Sequence, residues 1–104
     1  MKTFKFAEDF PKLQDDFFST IRTPPKELRT GQECRIQTPT REFKAILVRK
    51  ITGPVRDIET SDLIYDTNTQ SREEALVVLR EYYPGLEEDS EVQLLWFVPY
   101  RSGD

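Results

Sequence analysis

The residues with the most specific chemistry in this chain of 104 are Thr20 and Arg22, within Ser19-Thr20-Ile21-Arg22-Thr23. β-Branched residues followed by Pro24-Pro25 predict a short strand that ends there. At its end the Arg22 guanidinium could be aimed at a ligand's phosphate or base edge in bidentate fashion, or be paired with a carboxylate such as Asp66. Thr20 could hydrogen-bond a nucleobase, although a strand threonine is commonly structural. Lys26, Arg29, Arg41 and Lys44 would line a groove if the loop after Thr23 and the loop near Thr40 face the same way.

Other chemistries are excluded by composition. There is no histidine, the commonest general base and zinc ligand, and the one cysteine, Cys34, makes neither an internal disulfide nor a structural zinc site. Cys34 alternates with Glu33 and Arg35 and reads as a small inward hydrophobe. Glu87-Glu88-Asp89 reads as a solvated link, because consecutive carboxylates on a turn point in different directions, so no metal and no cofactor are expected. Trp96, between Leu95 and Phe97, reads as core before it reads as a base-stacking surface. Of Tyr82 and Tyr83, one is expected to cap the core and the other to reach a cleft.

Charge is distributed unevenly. Up to Arg56 there are twelve basic and seven acidic residues; from Asp57 on there are three and twelve, so the net −4 combines +5 with −9. A basic face in the first half would suit a phosphate backbone, and an ordinary solvated surface fits equally well. The length suggests a single domain, 1–104, and no apolar run approaches the roughly 20 residues that span a bilayer. The opening MKTFKFAEDF has acids where a signal peptide would be apolar, so a cytoplasmic location is expected.

The elements that must position these residues follow from periodicity. Lys2 to Phe6 alternates as a strand with Phe4 and Phe6 inward. Pro11 opens a predicted helix to about Phe18, through Phe10, Leu13, Phe17 and Phe18. Gly31 marks a turn, and the strand with Cys34 and Ile36 forms a hairpin with Phe43 to Ile51, ended by Gly53-Pro54. A short helical turn is expected near Glu59 to Tyr65. Ser71 and Glu74 form a capping box for a helix from about Arg72 to Tyr83, with Ala75, Val78, Leu79 and Tyr82 on its inner face. Pro84-Gly85 stop it, and Val92 to Val98 reads as a strand covered on both sides.

With these residues in place, the chain resembles the ASCH family of PUA-like β-barrels over nearly its whole length. The carriers are Thr20-Ile21-Arg22 after a helix, the loop to Gly31-Gln32, and the final unit from Tyr83-Pro84-Gly85 into Val92-Gln93-Leu94-Leu95-Trp96-Phe97. The resemblance implies an α+β fold, a small, mostly antiparallel barrel of about five or six strands with two or three helices. It also implies RNA or a nucleotide bound in a cleft between barrel and helix. One branch of the family is similar to an amidohydrolase that deacetylates acetylated cytidine with a Lys, a Thr and a Glu. Here the threonine is Thr20, the lysine position holds Phe17 and the glutamate position holds Asn68, with Asp66 two residues away. A threonine hydroxyl without an adjoining base is a weak nucleophile. The expectation is therefore an RNA- or nucleotide-binding protein with its ligand beside Arg22 and no hydrolase activity. The alternatives are a small amidohydrolase using Thr20 and Asp66, or a protein-interaction adaptor using the acidic half.

Overall fold

The computed structural model describes residues 1–100. It is an α+β chain with strands β1 (Lys2–Lys5), β2 (Phe18–Arg22), β3 (Glu33–Gln37), β4 (Glu42–Pro54) and β5 (Glu91–Pro99), and helices α1 (Thr60–Thr67) and α2 (Arg72–Tyr82). The five strands form one sheet in the order β1-β3-β4-β5-β2. β1 pairs with β3 in parallel, whereas β3 and β4 form the expected antiparallel hairpin with Cys34 opposite Ala45. Among the described residues no helix is long and apolar enough to cross a membrane.

The described residues divide into two compact units, one of residues 1–19, 27–50 and 95–100, the other of residues 20–26 and 51–94. The first is built on aromatic packing. Phe18 stacks on Phe97 at 5.5 Å between ring centroids, Phe4 meets Phe97 edge-on at 5.3 Å, and Cys34, Ile36, Ala45 and Leu47 close the same cluster. Phe4 and Phe6 are buried, as the alternation in β1 requires. Burial, followed by the charge of Glu33, pushes the Cys34 thiol up, so it stays a neutral core side chain. Gly31 turns with φ +88°, a backbone conformation that glycine adopts without a Cβ clash, and its N–H donates to Leu47 O at 2.6 Å.

The helix expected over Pro11 to Phe18 is a single 3-10 turn, Pro11–Gln14, after which Asp15 is already extended. An eight-residue helix has little intrinsic stability. Leu13 and Phe18 both have to reach the core, and a helix through them would bury Phe17, which is 55% exposed, beside Leu13. The β-forming run from Phe18 to Ile21 therefore prevails. β4 continues beyond Ile51 and ends at Gly53-Pro54 as expected, where a proline at the last position removes no interior ladder bond.

In the second unit α1 packs on α2. α1 covers the expected turn and continues to Thr67, capped by Asn68 in the left-handed conformation (φ 56°). α2 begins as predicted, with Glu74 N–H donating to Ser71 Oγ at 3.2 Å. Its inner face is corrected: Ala75, Leu76 and Leu79 are buried while Tyr82 is 44% exposed. The buried stripe runs through Leu76 toward Tyr83 rather than through Val78 toward Tyr82. Gly85, at φ +87°, reverses the chain.

The segment before β5 is tied down by Arg72. Its Nε and Nη2 donate to the two carboxylate oxygens of Glu88 at 3.2 and 3.0 Å, and its Nη1 and Nη2 reach Ile58 O and Val55 O at 3.0 and 2.9 Å. Glu88 stays in contact with water, its side chain 45% exposed, while it pairs with Arg72, and its carboxyl is held below the usual range first by that hydrogen bond.

Candidate functional site

β2 delivers Thr20 and Arg22 two residues apart, hence onto one side of the strand. Arg22 Nε donates to Thr20 Oγ1 at 2.9 Å. Thr20 is only 5% exposed and Arg22 is half-buried. Burial pushes the guanidinium below its ordinary pKa, while Tyr83 and then Asp66 act in the opposite direction and favour its charge. Asp66 comes from the last turn of α1 and Tyr83 from the residue capping α2. The Tyr83 hydroxyl donates to Ile21 O at 3.3 Å, which ties the end of α2 to the same strand.

The loop leaving β2 is held by a residue the sequence reading passed over. Gln93, buried in β5, accepts from Lys26 N–H through Oε1 at 3.2 Å and donates through Nε2 to Lys26 O at 2.8 Å. Thr23 Oγ1 donates to Glu91 O at 2.8 Å, and the Thr23-Pro24 peptide bond is cis. An amide in the middle of an apolar strand was the available signal, because a buried amide must find partners.

The seven expected site residues fall in two groups. Thr20, Arg22, Lys26 and Asp66 belong to the second unit, where Thr20 and Arg22 touch and Asp66 lies within electrostatic reach of Arg22. The Lys26 side chain is exposed. Arg29, Arg41 and Lys44 belong to the first unit. There, Arg29 N–H donates to Gln32 Oε1 at 3.0 Å, the Arg41 guanidinium lies 4.5 Å from the Phe43 ring centroid, and Lys44 Nζ is 3.6 Å from Glu33 Oε1. Arg41 and Lys44 therefore already have local partners.

The positions compared with the amidohydrolase pattern have other occupations. Asn68 is exposed and caps α1 with its backbone, and the Phe17 ring lies 5.7 Å from that of Trp96. Trp96 is half-buried on the strand face opposite Leu95 and Phe97, the face that also holds the buried Val92 and Leu94, and its indole Nε1 is buried. Thr20 Oγ1 accepts from a guanidinium, an arrangement that orients the cation and draws electron density from the hydroxyl oxygen. Among the described residues no group of three or more His, Cys, Asp or Glu side chains could hold a metal ion.

In comparisons with known proteins, no family model, no curated protein and no solved structure matches the chain.

Proposed function

We propose that this protein is an RNA- or nucleotide-binding module of the ASCH, PUA-like kind, with Arg22 as its anchoring group and no hydrolytic activity. The observation that carries this reading is the Arg22 guanidinium, partly withdrawn from water, fixed by Thr20 Oγ1 at 2.9 Å and with Asp66 close enough to favour its charge. A guanidinium held in one orientation loses little freedom when it binds, and in a lower dielectric its attraction for a phosphate or base acceptor is stronger than in water. The non-hydrolytic part is supported by Thr20 acting as an acceptor and by an apolar Phe17 where an ammonium would be needed.

The test is titration of wild type and Arg22→Ala with nucleoside monophosphates and a short single-stranded RNA at several salt concentrations. A charge-assisted hydrogen bond contributes about 1.5–3 kcal/mol, so Arg22→Ala should bind roughly tenfold to a hundredfold more weakly with its melting transition retained. RNA held through its backbone would show a steep salt dependence and a mononucleotide a shallow one. Equal binding by wild type and Arg22→Ala, or none by either, removes the reading. Turnover of acetylated cytidine would overturn its non-hydrolytic part.

A further inference from the structure

Thr23-Pro24-Pro25-Lys26 leaves β2 directly after Arg22, and β5 holds both ends of this loop. Thr23 Oγ1 donates to Glu91 O, and three residues later the N–H and C=O of Lys26 are bonded to the Gln93 side-chain amide. Between these anchors the loop therefore advances along β5, from Glu91 to Gln93. β2 runs the other way: its first residue, Phe18, stacks on Phe97, whereas the residue after its end, Thr23, meets Glu91. The two strands are neighbours in the sheet, so they are antiparallel, and an equal count along each from Phe18 and Phe97 sets Arg22 beside Gln93. The loop thus doubles back and brings the Lys26 main chain level with Arg22, at the one side chain that both adjoin.

Gln93 is 2% exposed, and its amide grips Lys26 as a neighbouring strand would, through both backbone groups. The Lys26 side chain thereby starts from a fixed point, while it stays exposed and its ammonium pairs with no carboxylate among the described residues. Charge in the unit that carries this site is otherwise of the opposite sign. Residues 20–26 and 51–94 contain five cations, Arg22, Lys26, Arg56, Arg72 and Arg80, against eleven Asp and Glu. Arg72 pairs with Glu88 and Arg80 with Glu87, and Arg56 acts on the Glu88 carboxylate as well. A polynucleotide brings a charge with every phosphate and would carry most of them into that acidic surplus, whereas a single phosphomonoester engages the two cations at the loop and extends no further. Resting on the nucleotide-binding reading above, we propose that the ligand of the Arg22 site is a free mononucleotide rather than RNA, with its phosphate held between Arg22 and Lys26 and with Gln93 as the residue that positions Lys26.

The test is calorimetric titration of the full chain with the ribonucleosides, their 5′-monophosphates and a single-stranded RNA of about ten nucleotides with unphosphorylated ends. One monophosphate should bind about tenfold or more tightly than its nucleoside and than the RNA, the range expected of charge-assisted bonds to one phosphate. Lys26→Ala changes an exposed side chain, so it should fold as wild type does and erase most of that advantage, leaving the nucleoside's affinity as it was. Gln93→Leu and Thr23→Val release the two anchors separately. Each should weaken monophosphate binding about threefold or more, and neither should weaken it further in Lys26→Ala, a coupling that a Gln93 serving only the fold would not give. Losses of the same size with and without Lys26 overturn the positioning role. Equal binding of nucleoside and monophosphate, or a Lys26→Ala that binds the monophosphate as wild type does, overturns the proposal, and the Arg22 reading survives it if Arg22→Ala still weakens binding. RNA bound more tightly than any monophosphate, with a steep salt dependence, overturns the proposal in favour of a polynucleotide. If wild type binds none of these probes, the Arg22 reading itself fails and takes the proposal with it.

Discussion

Replacing Arg72 with alanine should be among the most damaging changes available outside the apolar core. Its side chain donates to Val55 O and Ile58 O, in residues that are themselves buried, and forks onto both oxygens of Glu88. The ion pair alone contributes little, because the Glu88 side chain is 45% exposed and water screens it. The larger cost lies in the Ile58 carbonyl, because Val55 O keeps the Ile58 N–H as a donor at 2.9 Å: a buried acceptor that loses its donor costs about 1–3 kcal/mol, and water can compensate part of it. Alanine is a better helix former than arginine by only a fraction of a kcal/mol, so propensity does not mask the loss. We therefore expect Arg72→Ala to cost about 1–3 kcal/mol in urea unfolding followed by circular dichroism, with an unchanged denaturant slope. Glu88→Gln, which removes the charge and spares both carbonyl contacts, should cost about 1 kcal/mol or less. If the two variants prove equally destabilising, or if Arg72→Ala lies within about 0.5 kcal/mol of wild type, the assignment of the cost to the Ile58 carbonyl is wrong.

Three other outcomes follow from the same contacts. The Glu88 carboxyl is held low by Arg72, so it binds its proton less readily folded than unfolded; its stabilisation is present above the unfolded carboxylate pKa and is lost as pH falls through the lower folded value. Acid titration of stability should show this loss in wild type and a reduced one in Arg72→Ala. Gln93→Leu keeps the bulk and removes both bonds to Lys26, and should cost about 1–3 kcal/mol while exposing the Lys26 amide to faster hydrogen exchange. Phe18→Ala should cost about 3–5 kcal/mol by thermal or urea unfolding, whereas Phe17→Ala, one residue earlier and largely exposed, should cost far less.

The most legible parts of the chain were those whose signals are local. Ser71 with Glu74 placed the start of α2 because a cap is a contact between residues three apart. The alternation in β1, the β3–β4 hairpin and the stretch of β5 from Val92 to Leu95 that is covered on both sides were visible for the same reason, since neighbouring residues reveal which sides are wet. The segment from Pro11 to Phe18 misled because its spacing also fits a helix, and only the aromatic cluster that takes Phe18 and leaves Phe17 outside decides between the two. Arg72 drew no notice as a ligand of distant carbonyls, since nothing adjacent in sequence marks Val55 or Ile58 as needing a donor.

By itself the sequence determined the α+β character, the exclusion of histidine and disulfide chemistry, and the pairing of Thr20 with Arg22 on one short strand, because composition and periods of two and 3.6 residues are properties of the chain before it folds. Tertiary structure alone decided that Asp66 acts on the Arg22 charge, that Gln93 grips the loop at Lys26, that Lys44 and Arg41 are engaged beside Glu33 and Phe43, and that Trp96 is half-buried beside Phe17. Each of these depends on which distant segments share a neighbourhood, and burial and electrostatic partnership arise only once the chain has closed those distances.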